Sequence, residues 1–236
     1  ALGVHRHSGA VAGMIGRRVV IFGVGDFARV AAHYLALDSP HEVAAFTVHA
    51  AHLPQPATLR GLDIVAFERL AGTHPPEDFA IFVAVGFSRV NRARAEVVAE
   101  CRARGYELIS YFNSRATRWE DTPLRANTFV FEENVIQPFG TIGEDVILWS
   151  GNHIGHDVRI GDHVFIASHA VVSGNCTIGS HCFIGVNATI RDGVTIAPRC
   201  VIGAGAVIMH DTAEGDVFAV RNTPVFPKRS WELEGF

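Results

Sequence analysis

The chain has 236 residues, 48% of them hydrophobic, and a formal net charge of −4, so one large or two small domains can each bury a core. Its Lys and Arg residues are scattered, which argues against nucleic acid and anionic membrane as partners, and its longest apolar runs, such as VVIF at 19–22, fall far short of a bilayer span. Residues 1–17 read as a leader without the long apolar stretch of a secretory signal, and the four cysteines form no CxxC pair, so a cytoplasmic protein is expected, without a zinc ribbon or redox pair.

From residue 18 to 118 strand-like and helix-like segments alternate. RVVIFG (18–23) is a short apolar run ending in glycine, and FARVAAHYLAL (27–37) has helical spacing with Phe27, Val30, Tyr34 and Leu37 on one face. EVAAFTV (42–48), LDIVAF (62–67) and AIFVAV (80–85) read as strands. VNRARAEVVAECRARG is a helix with Val90, Ala93, Val97 and Cys101 on one face, and Gly105 stands where a C-terminal cap glycine belongs. YELISYF (106–112) closes the set. This alternation predicts a Rossmann-like α/β domain around a small parallel sheet.

From residue 119 to 210 the helical period is gone and a six-residue period replaces it. Every sixth residue from Ile142 to Ile208 is aliphatic, twelve positions with no insertion, and Leu124, Val130 and Ile136 extend the series backwards. The next position is most often glycine, alanine or serine, and the fifth position of each hexad is small or aliphatic except at Asn152. Side chains of a strand alternate faces, so the fifth position and the next first position point the same way, inward. Each hexad is then one short strand and one tight corner, and stacked laps bury a continuous aliphatic column. Cys176, Cys182 and Cys200 occupy inward fifth positions and read as small apolar fillers, as does Cys101 in its helix. Residues 211–236 lack the hexads and read as a capping tail.

Repeats such as IGDHVF, IGSHCF and IGAGAV resemble those of the hexapeptide acyltransferases, and the order of an α/β half followed by the repeats is similar to the sialic acid O-acetyltransferase and bacillosamine N-acetyltransferase group. The resemblance covers roughly residues 18–210. It implies an all-β left-handed parallel β-helix of triangular section with three hexads, eighteen residues, per lap. It also implies an acetyl-CoA-dependent acetyltransferase, trimeric, acting on a free or nucleotide-linked sugar or amino sugar for bacterial surface polysaccharide, with no metal.

The stretch GNHIGHD (151–157) acquires a place in this frame. Gly155 is a corner glycine, so His156 projects from an edge of the prism. An amine or hydroxyl attacking a thioester must lose a proton, and imidazole suits that task. The residue one lap on is Gly174, whose backbone N–H no side chain obstructs. The sequence HDVRIGD (156–162) matches the family's catalytic histidine motif. The resemblance implies that His156 is the general base, that Asp157 orients its ring, and that the Gly174 N–H holds the thioester oxygen. His153 points outward from the preceding strand and is a candidate contact to substrate. The family's coenzyme A lies between two subunits, which carries cofactor contacts to Gly174, Val186, Gly203, Ala204 and Gly205. His163 and His181, eighteen apart, with His169 on another edge, read as a solvated ladder rather than a zinc site.

GVGDFA (23–28) satisfies a GxGxxA dinucleotide-loop pattern between strand and helix. A nicotinamide dinucleotide also needs an acid at the tip of the second strand, and TVHAA (47–51) has none. The resemblance implies a nucleotide-sugar seat instead, with Gly23, Gly25, Asp26 and Phe27 on its rim and Gly86, Phe87 and Asn91 on a second loop. A tight turn with no ligand explains these glycines equally well. Two other readings stay open: a metal-dependent β-helix enzyme of the carbonic-anhydrase-like type, and a non-catalytic hexapeptide scaffold. Nitrogen and oxygen acceptors are not distinguished.

Overall fold

The apolar run at the start of the α/β half becomes β1 (Arg18–Phe22), and α1 (Asp26–Asp38) follows it directly in a computed structural model that describes residues 16–119 and 122–233. Most of the expected leader, residues 1–15, lies outside the described residues. Then come β2 (Glu42–Val48), β3 (Thr58–Leu59), β4 (Leu62–Ala66), β5 (Phe79–Val83) and α2 (Arg92–Ala103). The strands form one sheet in the order β3-β4-β2-β1-β5, parallel except for the β3–β4 pair. Both central strands are near-continuous apolar runs because helices cover both faces. Phe27, Ala28, Ala31 and Leu35 of α1 pack with Val19, Ile21 and Phe82. Val97, Val98 and Cys101 of α2 pack with Val20, Ile81 and Val83 on the other face.

The buried stripe of α1 differs from the one expected. Alanines 28, 31 and 32 carry it, and Leu37 is 73% exposed. Small side chains let the helix lie close to the sheet, which leaves the larger Leu37 beyond the contact. Helix α2 ends as its glycine predicts. Gly105 takes φ +83, its N–H donates to Arg102 O, and Tyr106 N–H donates to Cys101 O, which satisfies carbonyls the helix leaves open.

The two halves meet earlier than the change of sequence period suggests. Leu108 pairs with Ile81 at the edge of the first sheet, and β6 (Tyr111–Phe112) already pairs with Phe129–Val130 of the prism. The remainder is a left-handed parallel β-helix with three faces. Its two-residue strands repeat every eighteen residues, as in the pairs Ile154↔Val172 and Ile160↔Ile178. The first-position aliphatics and the fifth-position side chains fill one column, with Cys176, Cys182 and Cys200 fully buried in it. Non-glycine corner residues adopt left-handed backbone, among them Asp145, Asp157, His163 and His181 at φ 55, 57, 60 and 63. Val217–Phe218 of the tail adds a strand beside Val201–Ile202.

The outward side chains make the three faces unequal. The first face presents Phe129, Ile147 and Phe165, all buried in the same cluster as Phe27, Phe46 and Phe82 of the α/β half. The second presents Val135, His153, Val171, Thr189 and Val207, and the third Thr141, Arg159, Thr177 and Thr195. The aromatic face is therefore the one on which the α/β half is seated, held by a chain of tilted and stacked ring contacts from Phe82 through Phe129 and Phe131 to Trp149.

Candidate functional site

The corner between the second and third faces carries His156. Its backbone N–H donates to Gln137 Oε1 at 2.9 Å and its carbonyl accepts from Asn175 N–H at 2.9 Å, so the laps below and above fix the corner. The imidazole Nδ1 lies 3.0 Å from Asp157 Oδ2, with side chains 53% and 46% exposed. A carboxylate accepts, so Nδ1 carries the hydrogen and Nε2 presents its lone pair. The ring leans over Gly174. A Cβ placed on Gly174 would meet His156 Nε2 and Cε1 at 2.7 Å, closer than a Cβ packs, so only glycine leaves room for the ring here. The Gly174 N–H makes no hydrogen bond among the described residues. Other corner amides share that freedom. Gly151 also has an imidazole against it, that of His169, but its N–H donates to Glu132 O at 3.0 Å. A base with a lone pair beside an unobstructed N–H on one exposed edge suits the attack of a nucleophile on a carbonyl.

The remaining candidates divide. His153, on the strand entering this corner, is half-buried and faces outward from the second face. Val186, Gly203, Ala204 and Gly205 lie on the corner between the first and second faces, because their spacing from His156 is not a multiple of eighteen. Within one chain they do not meet His156. Val186 is 42% exposed and Gly205 has open space where a Cβ would be, whereas the Gly203 N–H donates to Phe218 O of the tail at 2.8 Å and a Cβ there would meet that oxygen at 2.5 Å. In the α/β half, Gly25 and Gly86 both face open space at the carboxyl ends of β1 and β5, the crevice where open α/β sheets bind ligands, and the Asp26 side chain is 91% exposed there. Gly23 has φ +127, and a Cβ would strike Ala84 O at 2.7 Å, so its role is close approach of two strand ends.

Two members of the expected seat need correction. Phe27 is not on the rim: it is 9% exposed and packs edge-on to Phe82 and Phe129. Asn91 is fully buried, its Nδ2 donating to Cys182 O at 2.9 Å and its Oδ1 accepting from Arg94 at 3.0 Å. Both ends of the amide are used, so Asn91 fastens the loop to the prism and has nothing left for a ligand. Arg89, Val90 and Asn91 are consecutive residues with φ 54, 53 and 63, a strained turn that persists because this fastening over-determines it. Phe87 is 53% exposed but rests on Phe183 at 4.6 Å.

The histidine ladder is only partly solvated: His169 is exposed, whereas His163 and His181 are half-buried. His163 and His181 stack at 4.7 Å between centroids at the corner the α/β half covers. His163 Nδ1 lies 2.9 Å from Asp145 Oδ2, and Asp145 accepts from the Arg94 Nε at 2.8 Å and from Asn127 Nδ2 at 2.7 Å. Arg94 and Asp145 side chains are 0% exposed. Sequence reasoning missed this buried pair; its signal was an arginine inside an apolar helix face beside an aspartate at a hexad corner. Burial, then the charges of His163 and Arg199, hold the His181 ring below the ordinary histidine range. Burial pushes the Cys182 and Cys101 thiols up to about 12, so neither supplies a nucleophile. Among the described residues no group of three or more His, Cys, Asp or Glu side chains is arranged to hold a metal ion, and no helix is long and apolar enough to cross a membrane.

Known proteins of this shape carry related chemistry. The family model described as bacterial transferase hexapeptide (six repeats) matches residues 140–174 and 175–210. A search of curated protein sequences finds no match. Among solved structures, a histidine-to-asparagine mutant of perosamine N-acetyltransferase from Caulobacter crescentus, in complex with CoA and GDP-perosamine, is 25% identical with a TM-score of 0.76, covering 85% of this chain and 92% of that one. The acetyltransferase domain of PglB from Neisseria gonorrhoeae in complex with acetyl coenzyme A is 26% identical with a TM-score of 0.76, covering 86% and 95%. WeeI from Acinetobacter baumannii, 17% identical with a TM-score of 0.61 over 81% and 95%, shares the fold.

Proposed function

We propose that this chain, a hexapeptide-repeat sugar acetyltransferase, moves the acetyl group of acetyl-CoA directly to an amine or hydroxyl of a nucleotide-linked sugar. The similar structures bind acetyl coenzyme A, or CoA with GDP-perosamine, which supports this pair of substrates. His156 Nε2 takes the acceptor's proton as it attacks, Asp157 keeps the ring in the accepting tautomer, and the Gly174 N–H steadies the developing oxyanion. Transfer is direct because the described cysteines are buried and none lies at this corner.

The acceptor's nucleotide sits in the crevice formed by Gly23, Gly25, Asp26, Gly86 and Phe87. The protein works as a homotrimer in which the Val186–Gly205 corner of a neighbouring copy faces the His156 corner, with coenzyme A between them and His153 beside the acceptor. It acts in the cytoplasm, where both substrates are made, in a route to bacterial surface polysaccharide.

The observation that carries this reading is the imidazole packed on bare Gly174. Its test is His156→Ala, assayed for thiol release with acetyl-CoA and a panel of nucleotide-linked sugars. Transfer should be lost while CoA binding and oligomeric state are kept; retained transfer removes the mechanism.

A further inference from the structure

The corner that carries His163 and His181 continues one lap further. In steps of eighteen its column runs Asp145, His163, His181, Arg199. Helix α2 meets this column twice. Low on the column an arginine of the helix finds an acid: Arg94 Nε donates to Asp145 Oδ1 at 2.8 Å, with both side chains buried. High on the column the helix brings Arg92, which shares a pocket of about 330 Å³ with Arg199 and His181; Ala95 and Glu96 complete the lining. Two guanidinium groups on one pocket repel. The upper end lacks the anion that Asp145 supplies at the lower one.

The free polar atoms of the pocket are donors. Both carboxylate oxygens of Glu96 accept from the guanidinium of Arg89. Arg92 is exposed, and its side chain makes no ion pair among the described residues. Arg199 gives one nitrogen to Glu214 and keeps the others. The His181 Nδ1 is buried without a hydrogen-bond partner. A buried N–H left unpaired is costly, so Nδ1 carries the lone pair and Nε2 carries the hydrogen. The ring lines the pocket, and Nε2 is the nitrogen left to face it. Charge points the same way: Arg89, Arg92 and Arg199 against Glu96 and Glu214 leave one cation in excess, three less two.

We infer that this pocket is an oxyanion site that takes a phosphate group, held between Arg92 of the α/β half and Arg199 and His181 of the prism. A phosphate group offers acceptor oxygens on several sides, which suits donors arriving from a helix and from two laps of the prism. A carboxylate matches one guanidinium fork but has only two oxygens for three donor side chains. An occupant would tie the first turn of α2 to the prism. That turn follows the loop bearing Gly86 and Phe87, and Arg94 Nη1 already donates to Gly86 O at 3.3 Å. His181 and His156 are not a multiple of eighteen apart, so the site stands on another corner from the acyl-transfer edge and is independent of the role given to His156.

The test titrates the full chain with inorganic phosphate at constant ionic strength, with a sugar 1-phosphate and acetate in separate arms. The histidine rings are followed by NMR, and the His181 signal is assigned by its loss in His181→Gln. Phosphate should shift that signal along a saturable curve and raise the pH at which the ring protonates, because an adjacent anion favours the imidazolium form. The melting temperature should rise with phosphate concentration. Arg92→Gln and Arg199→Gln should each weaken binding about 10- to 100-fold, the scale of one charge-assisted hydrogen bond. Arg159→Gln, on the third face, should leave binding unchanged. Tighter binding of the sugar 1-phosphate would make a phosphorylated sugar the ligand, and equal or weaker binding would make it free phosphate. A His181 signal that does not respond, a response equally strong with acetate, or binding of wild-type strength in both Arg92→Gln and Arg199→Gln would overturn the site.

Discussion

Two edges of the same prism carry histidines with a neighbour eighteen residues away, and they end in different chemistry. At the corner between the second and third faces, the lap above His156 offers glycine, and none of the described residues covers the edge, so the imidazole stays half-exposed with a free lone pair. At the corner between the third and first faces, the lap above His163 offers His181, and the α/β half covers the edge with Arg94 and Asn91. The rings there are spent on stacking and on a buried carboxylate. The hexad fixes which residues share an edge; the residue on the next lap, and the element lying outside, decide whether that edge can react.

The comparison breaks most readily at activity. His156→Ala should lower the rate of transfer about a thousandfold, within the range of a general base, whereas His163→Ala and His181→Ala should leave kcat within about threefold. A comparable loss from either of the latter pair would mean that the covered edge takes part in the reaction. Gly174→Ala should cost about a hundredfold in kcat, because its Cβ would enter the space of the His156 ring at 2.7 Å, with an unchanged melting temperature.

The covered edge should respond in stability instead. Arg94→Met leaves the Asp145 carboxylate buried without its cation and should cost about 3–5 kcal/mol in urea unfolding. Replacing both partners with apolar residues should recover much of that loss. Because His181 is held below the ordinary range by burial, the unfolded chain takes up a proton there first as pH falls. Its contribution to stability is full above the unfolded value of about 6.5 and is lost as pH drops below it. His181→Gln should therefore flatten the fall in melting temperature between about pH 7 and about pH 5.5. The smallest effect is expected from the thiols: with Cys101 and Cys182 at about 12 and all four cysteines buried, a thiol reagent near pH 8 should label none of them until the chain unfolds.

The prism was legible because its geometry is a count. Ile142 to Ile208 gave the column, and the lap of eighteen that the family resemblance implies put His156 under Gly174. That step also held information that went unread: Phe129, Ile147, Phe165 and Phe183 fall on one face, and a run of large apolar side chains pointing outward marks a surface that something must cover. The α/β half resisted for a different reason. Its strands and helices follow local pattern, but its loops are placed by tertiary contacts. Asn91 looks like a ligand-facing polar residue after a glycine, and becomes a fastener only because Cys182 O of the prism lies within reach. Phe27 follows the glycine loop in sequence, yet the first turn of α1 rotates it into the core.

The central claim is that the exposed edge bearing His156 and Gly174 is where acyl transfer occurs, and a structure with coenzyme A bound tests it most directly. With acetyl-CoA as that coenzyme, the thioester oxygen should lie within hydrogen-bonding reach of the Gly174 N–H and the thioester carbon beside His156 Nε2, with the pantetheine arm running along that edge. A coenzyme seated at the His163–His181 corner, or anywhere that leaves His156 facing solvent, would contradict it.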